Sequence, residues 1–255
     1  MRILLIRHAS PAYATDSLTE RGHREAELLG EYLKNTDLGH VYTSPMGRAR
    51  ETMQHVLDAQ GKSEYGVLDW TIEFEIEVDN HNDELRTTYA AVNMGDDGTI
   101  FPRVPWDMYP RALTTQYLDP VDWLNAPVAR HSDIPAQYKY VTEQLDKLLA
   151  EHGYVRNGLI YNCDPGNHET ITIFCHFGVQ GVLLSHLLNT SPHFFWQNFC
   201  AAPSALTELV TEEREEGIAS FRCLRLGSTA HLDMGNMEPA FSARYCEAYQ
   251  DDDRH

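Results

Sequence analysis

Basic residues are scarce in this chain. Its 20 Lys and Arg stand against 38 Asp and Glu, a formal net charge of −18. That balance argues against nucleic acid and anionic membrane surfaces as partners, because both are gripped chiefly by clustered cations. It leaves room for an anionic small molecule, since a few arginines in one pocket invert the field locally. Long apolar runs are missing too, and no stretch approaches the roughly 20 residues of a membrane span. The opening run, Ile3 to Ile6, is too short for the core of a signal peptide and has no small-residue cleavage site behind it. The expected location is the cytoplasm. The five cysteines (Cys163, Cys175, Cys200, Cys223 and Cys246) include no CxxC pair. Odd in number, they read as free thiols of a reducing compartment. The 13 histidines form no HxxxH or HExxH pair, and His40, His55, His81, His131 and His168 are scattered. No metal site is therefore expected. Repeats and low-complexity tracts are lacking, and nothing in the sequence fixes an oligomeric state.

With 42% hydrophobic residues over 255 positions, the chain can build one packed domain. Ile3–Ile6 is continuously apolar, as a strand covered on both faces must be. Leu29, Tyr32 and Leu33 repeat at helical spacing, and Ala49, Met53, Val56 and Leu57 do so again after a short strand at Val41–Thr43. Ser44 is placed to cap the second helix and Pro45 to occupy its first turn. Ile134, Tyr138, Val141, Leu145 and Leu148 mark a third helix, and HGYVRNG a turn. Ile171–Cys175 is a second central strand, running directly into HFGVQGVLLSHLLN, which is apolar nearly all round and reads as a buried helix. Leu206–Val210 and Phe221–Leu226 are strands joined by the acidic EEREEG. The final QDDDRH reads as a frayed tail. The pattern predicts an α/β three-layer sandwich: a mainly parallel central sheet with helices on both faces. Residues 1–255 form a single domain, with a cap-like insertion at about 77–133, too long for a structureless loop and carrying short helices of its own. The insertion's aromatics, Trp106, Tyr109, Tyr117 and Trp123, either line the substrate site or form a small local core.

The chemistry concentrates at strand ends. Arg7 and His8 follow the first apolar strand, and His176 follows the second, where open α/β sheets bind ligands. His176 also opens a helix, whose free N–H groups favour an anion. Arg48 lies in the first turn of the second helix. Singly, each of these is unremarkable; together, two arginines that fork onto phosphate oxygens and two imidazoles make a phosphate site.

The segments LLIRHAS, LTERGHREAELLGEYL, VYTSPMGRARET and CHFGVQGVLLSHLL resemble, in order, the Arg-His-Gly motif, first helix, Ser-x-x-x-Arg-Ala-x-x-Thr motif and second His-Gly element of the histidine phosphatase superfamily, with its phosphoglycerate mutase-like fold. The resemblance brackets nearly the whole chain. It implies a metal-independent phosphomonoesterase acting on a small phosphorylated metabolite and needing no cofactor. His8 would be the phosphorylated nucleophile, and Arg7, Arg48 and His176 would bind phosphate, with His176 protonated. A carboxylic acid would protonate the leaving group: Glu73 in WTIEFEIE fits best, with Glu75 as competitor. The alternatives are a mutase-type phosphotransferase, whose extended motif is not recognisable in EFEIEVDNHND, and an inactive phosphate-binding member. Three departures stand out. Ala9 and Phe177 replace the glycines after the two histidines, and Ala14 stands where many relatives carry a phosphate-binding asparagine, with Ser10 and Thr15 as candidate substitutes.

Overall fold

The structure is a computed structural model and describes residues 1–78, 82–89, 93–94, 100–101 and 103–240. The terminal QDDDRH, His81 and Cys246 lie outside them. The strands of its main sheet are β1 (Arg2–Arg7), β2 (His40–Thr43), β3 (Gly66–Val67), β4 (Val155–Asn157), β5 (Ile160–Asn162), β6 (Thr170–Cys175), β7 (Leu206–Glu215) and β8 (Ile218–Ser228). They form one sheet in the order β3-β2-β6-β1-β7-β8-β5-β4. The first four in that order run parallel, and the other four continue the sheet in antiparallel pairs. Gly217 and Gly158 turn the β7–β8 and β4–β5 hairpins at φ of 77° and 62°, a region that glycine enters without steric penalty.

Alternation along β1 divides the core. Leu4 and Ile6 face α1 (Glu20–Leu33) and α2 (Gly47–Gln60), where they meet Leu29, Leu33, Met53, Val56 and Leu57. Ile3 and Leu5 face α3 (Ile134–Glu151) and α4 (Phe177–Leu187), meeting Val141, Leu145, Val179 and Leu183. The two covered faces are the expected three layers. Every α4 residue except His186 is buried, which explains why its sequence shows no polar stripe. A short helix, α5 (Pro192–Asn198), closes that side. Ser44 and Pro45 do not play the expected parts at α2. That helix starts at Gly47, and Met46 is its N-cap without a side-chain bond.

Residues 103–133 fold into five short helical turns. Their aromatics are not a separate core. Tyr117 and Trp123 pack edge-on against His193 of α5, within the same apolar cluster as the sheet.

Gly22 in α1 allows the closest approach that holds the segment after β1 in place. A Cβ there would stand 2.2 Å from the Ser10 carbonyl oxygen, which accepts from the Thr19 N–H and hydroxyl. Gly22→Ala should therefore destabilise the protein by about 1–3 kcal/mol, the range for overpacking, despite alanine's better helix propensity. A urea titration that finds the variant as stable as the parent would contradict this.

Candidate active site

Strands β1 and β6 pair in parallel, with Arg7 opposite Cys175. The His8 N–H donates to the Cys175 carbonyl at 2.9 Å, which carries the pairing one residue beyond the strand. His8 and His176 consequently emerge side by side, with ring centroids 5.0 Å apart, and both are buried.

His8 Nδ1 lies 2.8 Å from the Ala9 carbonyl oxygen. A carbonyl only accepts, so Nδ1 carries the proton and Nε2 keeps its lone pair. Burial, reinforced by the charge of Arg7 and by His176, lowers the His8 pKa well below the usual histidine range. The ring is neutral near pH 7. Ala9 follows without positive φ, and its N–H donates to Thr52 Oγ1 of α2 at 2.9 Å.

His176 is the N-cap of α4. Its Nε2 shares a 2.8 Å hydrogen bond with Ser44 Oγ. The Ser44 hydroxyl, expected to cap α2, thus orients a histidine instead. His176 Nδ1 is buried and, among the described residues, without a partner. Burial first, then Arg48 and Arg7, push its pKa down to about 2. The protonated His176 expected from the sequence is therefore not the state of this pocket. A bound phosphate dianion would oppose the guanidinium charges and favour the imidazolium.

The two arginines are held from outside the pocket. Arg7 Nη1 donates to the Ala201 carbonyl at 2.7 Å, and its guanidinium lies 5.7 Å from the centre of the Phe177 ring. Phe177, the departure after His176, thus packs against an arginine and, edge-on, against Trp106. Arg48 Nη1 donates to Asp16 Oδ1 at 2.6 Å, while Asp16 Oδ2 accepts from the Gly47 N–H at 2.6 Å. Asp16 holds this clamp from a left-handed backbone, φ 49°, a conformation aspartate tolerates better than most residues. Tyr13 lies over the other side of Arg48, 5.4 Å from guanidinium to ring centre. Arg48 Nε is buried without a partner among the described residues. Such a donor costs about 1–3 kcal/mol unless a ligand satisfies it. Neither candidate substitute for the asparagine is available for phosphate in this arrangement: Ser10 Oγ donates to buried Glu25, and Thr15 Oγ1 donates to the Ala12 carbonyl and is hydrogen-bonded to Ser17 Oγ.

Glu73 completes the group. Its Oε1 accepts from the N–H groups of Gly178 (2.8 Å), Val179 (3.3 Å) and Phe74 (2.8 Å), seating the carboxyl on the first turn of α4. Burial raises its pKa above the usual carboxylate range, against the Phe74 N–H and the charges of Arg7 and Arg48. Glu75 is exposed. One donor atom each of His8, His176 and Glu73 lies within 4.8 Å of the others. That trio has the donors for a cation, but the adjacent guanidiniums that depress both histidines favour an anion. The sequence does not mark Asp16, Ser44, Thr52 and Glu25 as site residues. Only Ser44 and Thr52 carried a signal, as members of the Ser-x-x-x-Arg-Ala-x-x-Thr segment.

Among the described residues, four buried histidines have lowered pKa values: His8, His176, His193 (about 3) and His231 (about 4). Near pH 6.5 and below, the unfolded chain takes up protons that the folded one refuses. Stability should therefore be full above about pH 6.5 and fall as pH drops towards 4, by about 1.4 kcal/mol per pH unit for each excess proton. The raised carboxyls of Glu73 and Asp107 offset at most two of the four. Urea unfolding at pH 7.0, 6.0 and 5.0 checks this, and His193→Phe should flatten the slope by one proton. A pH-independent midpoint would contradict it.

The comparisons agree with this geometry. The family model described as histidine phosphatase superfamily (branch 1) matches residues 3–88. The chain is 47% identical over 49 residues to a 2,3-bisphosphoglycerate-dependent phosphoglycerate mutase of Mesorhizobium japonicum, a stretch covering 18% of this chain and 24% of that protein. The match thus spans about a quarter of that relative's length. Among solved structures, a phosphoserine phosphatase variant of Entamoeba histolytica, in complex with phosphoserine, superposes with TM-score 0.55 at 16% identity, covering 91% of this chain and 98% of that one. A mycobacterial glucosyl-3-phosphoglycerate phosphatase in complex with VO3 superposes with TM-score 0.53 at 15% identity, covering 89% and 99%. No helix among the described residues is long and apolar enough to cross a membrane. The family's model thus matches the N-terminal third of this chain, residues 3–88, and the fold of these phosphatases extends over 91% of it.

Proposed function

We propose that the protein is a phosphomonoesterase working through a phosphohistidine at His8, on a small phosphorylated metabolite and without a metal. The observation that carries this reading is the hydrogen bond from His8 Nδ1 to the Ala9 carbonyl. It leaves Nε2 of a neutral, buried imidazole unprotonated beside Arg7 and Arg48, as a nucleophile on phosphorus requires. The phosphatases named above share the fold and support hydrolysis, whereas the match to a mutase is confined to 49 residues.

In this reading Arg7, Arg48 and His176 hold the phosphoryl oxygens and the charge that builds on them. His8 Nε2 forms the bond to phosphorus as the ester oxygen leaves with a proton from Glu73. Water then attacks the phosphohistidine, giving a proton to the Glu73 carboxylate, and phosphate departs with His8 restored. Residues 103–133 of the insertion act as a cap, with Trp106 packed on the first turn of α4.

Acid-labile, base-stable labelling by a phosphoester substrate should appear in the wild type and vanish in His8→Ala. Labelling that survives in that variant removes His8 from the role. The acid is tested by leaving group. Loss of a general acid costs on the order of 10² to 10⁴ in rate, and a nitrophenolate needs little protonation. Glu73→Gln should therefore lose most of that factor on an alkyl phosphate and far less on p-nitrophenyl phosphate, while Glu75→Gln loses little on either. Equal losses on both esters would place the proton donor elsewhere.

A further inference from the structure

At the opposite ends of the strands from the phosphate pocket, three side chains meet that the sequence keeps far apart. His40 begins β2, His152 caps the C-terminus of α3, and Glu169 immediately precedes β6. Glu169 Oε2 accepts from His152 Nδ1 at 2.7 Å and lies 3.9 Å from His40 Nε2. The two rings stand edge to face, with centroids 4.7 Å apart. One nitrogen of each ring and the carboxylate oxygen fall within 4.8 Å of one another.

We propose that His40, His152 and Glu169 form a binding site for a first-row divalent cation with zinc's preference for imidazole. Two imidazoles and a carboxylate, with room for water on the open side, suit such ions. Donors about 2.0–2.2 Å from a tetrahedral ion stand roughly 3.4 Å apart. The observed 2.7 and 3.9 Å straddle that spacing. His40 and Glu169 are exposed, so small side-chain rotations close the set.

The backbones carrying the donors are fixed. Asn167 Nδ2 donates to the His152 carbonyl at 2.8 Å, and Asn167 Oδ1 accepts from the Glu169 N–H at 3.0 Å, so a single side chain sets two donors relative to each other. On the third side, Gly39 adopts φ 54°, and a Cβ there would fall 2.0 Å from the Thr170 carbonyl oxygen. Only glycine lets the chain come that close and present His40 beside Glu169. Behind His152, Nε2 lies 3.5 Å from the Tyr42 hydroxyl. Proton positions are consistent with metal binding. At present Nδ1 donates to Glu169. When a cation takes the Nδ1 lone pair, that proton leaves and the neutral ring carries its hydrogen on Nε2, facing the Tyr42 oxygen. Such an outer partner orients a ligating histidine.

The test uses the full-length protein after treatment with a chelator. Titration with Co²⁺ should develop the visible absorption of a low-coordinate nitrogen–oxygen site at one ion per chain, and Zn²⁺ should abolish it by displacement. His40→Ala, which alters an exposed side chain, and His152→Ala should each weaken Zn²⁺ binding more than 100-fold, while Tyr42→Phe should weaken it about 10-fold, losses of an outer partner being 10–100-fold. Hydrolysis of p-nitrophenyl phosphate by His40→Ala, at the wild-type rate, shows that variant to be folded. Binding must persist in His176→Ala, because the pocket trio is the competing set of donors. No Co²⁺ spectrum at millimolar metal, undiminished binding in His40→Ala, or loss of binding in His176→Ala would each overturn the proposal. None of these outcomes bears on the phosphohistidine.

Discussion

The site rests on the parallel pairing of β1 with β6. Because Arg7 lies opposite Cys175 and the His8 N–H still reaches the Cys175 carbonyl, two histidines are delivered to one point from positions 168 residues apart in sequence. A slip of one residue in either strand would turn one ring to the other face of the sheet. That register is protected by the apolar residues flanking it, which are committed alternately to the α1–α2 face and the α3–α4 face. The core thereby sets the chemistry's geometry, and the pocket's own polar bonds only refine it.

Electrostatics follow from the same placement. Burial first, and then the two guanidiniums held in the same space, lower the proton affinity of both imidazoles. Each guanidinium is anchored at its rim, Arg7 by the Ala201 carbonyl and Arg48 by Asp16. Asp16 cancels part of the charge of Arg48 and at the same time fixes its direction. The overall charge of −18 therefore says little about the pocket, where the local balance favours anions.

Much of this was legible in the sequence, and the exceptions have physical reasons. The apolar runs of β1 and β6 and the motifs at their ends identified Arg7, His8, Arg48 and His176, because buried parallel strands and strand-end polar residues leave unmistakable patterns. Ser44 was misread because a serine before a helix usually caps it; whether the hydroxyl instead turns to a histidine from another strand is a tertiary fact. Glu73 and Glu75 could not be separated by alternation, which assumes an extended strand. The chain there is irregular, and the N–H groups at the start of α4 select Glu73. His40 and His152 escape any spacing rule because they meet only when α3 returns beside β2. The β4–β5 hairpin was read as a turn alone, its three-residue strands being too short to show a period.

The first turn of α4 has a mechanical consequence. At Gly178 the space of a single methyl group is contested by the Trp106 ring, 2.3 Å from where a Cβ would stand, and by Glu73 Oε1, 2.7 Å away. The Trp106 indole, the carboxyl and the helix that His176 opens therefore share one joint. The segment carrying Trp106 is for that reason not an interchangeable module. Exchanging it for a loop with a smaller residue at that point would leave α4 unbraced beside the carboxyl. A larger residue would press on Glu73 directly. Diversification of this segment is thus constrained at Trp106 and freest at positions away from α4, where its length and composition can change without reaching Glu73.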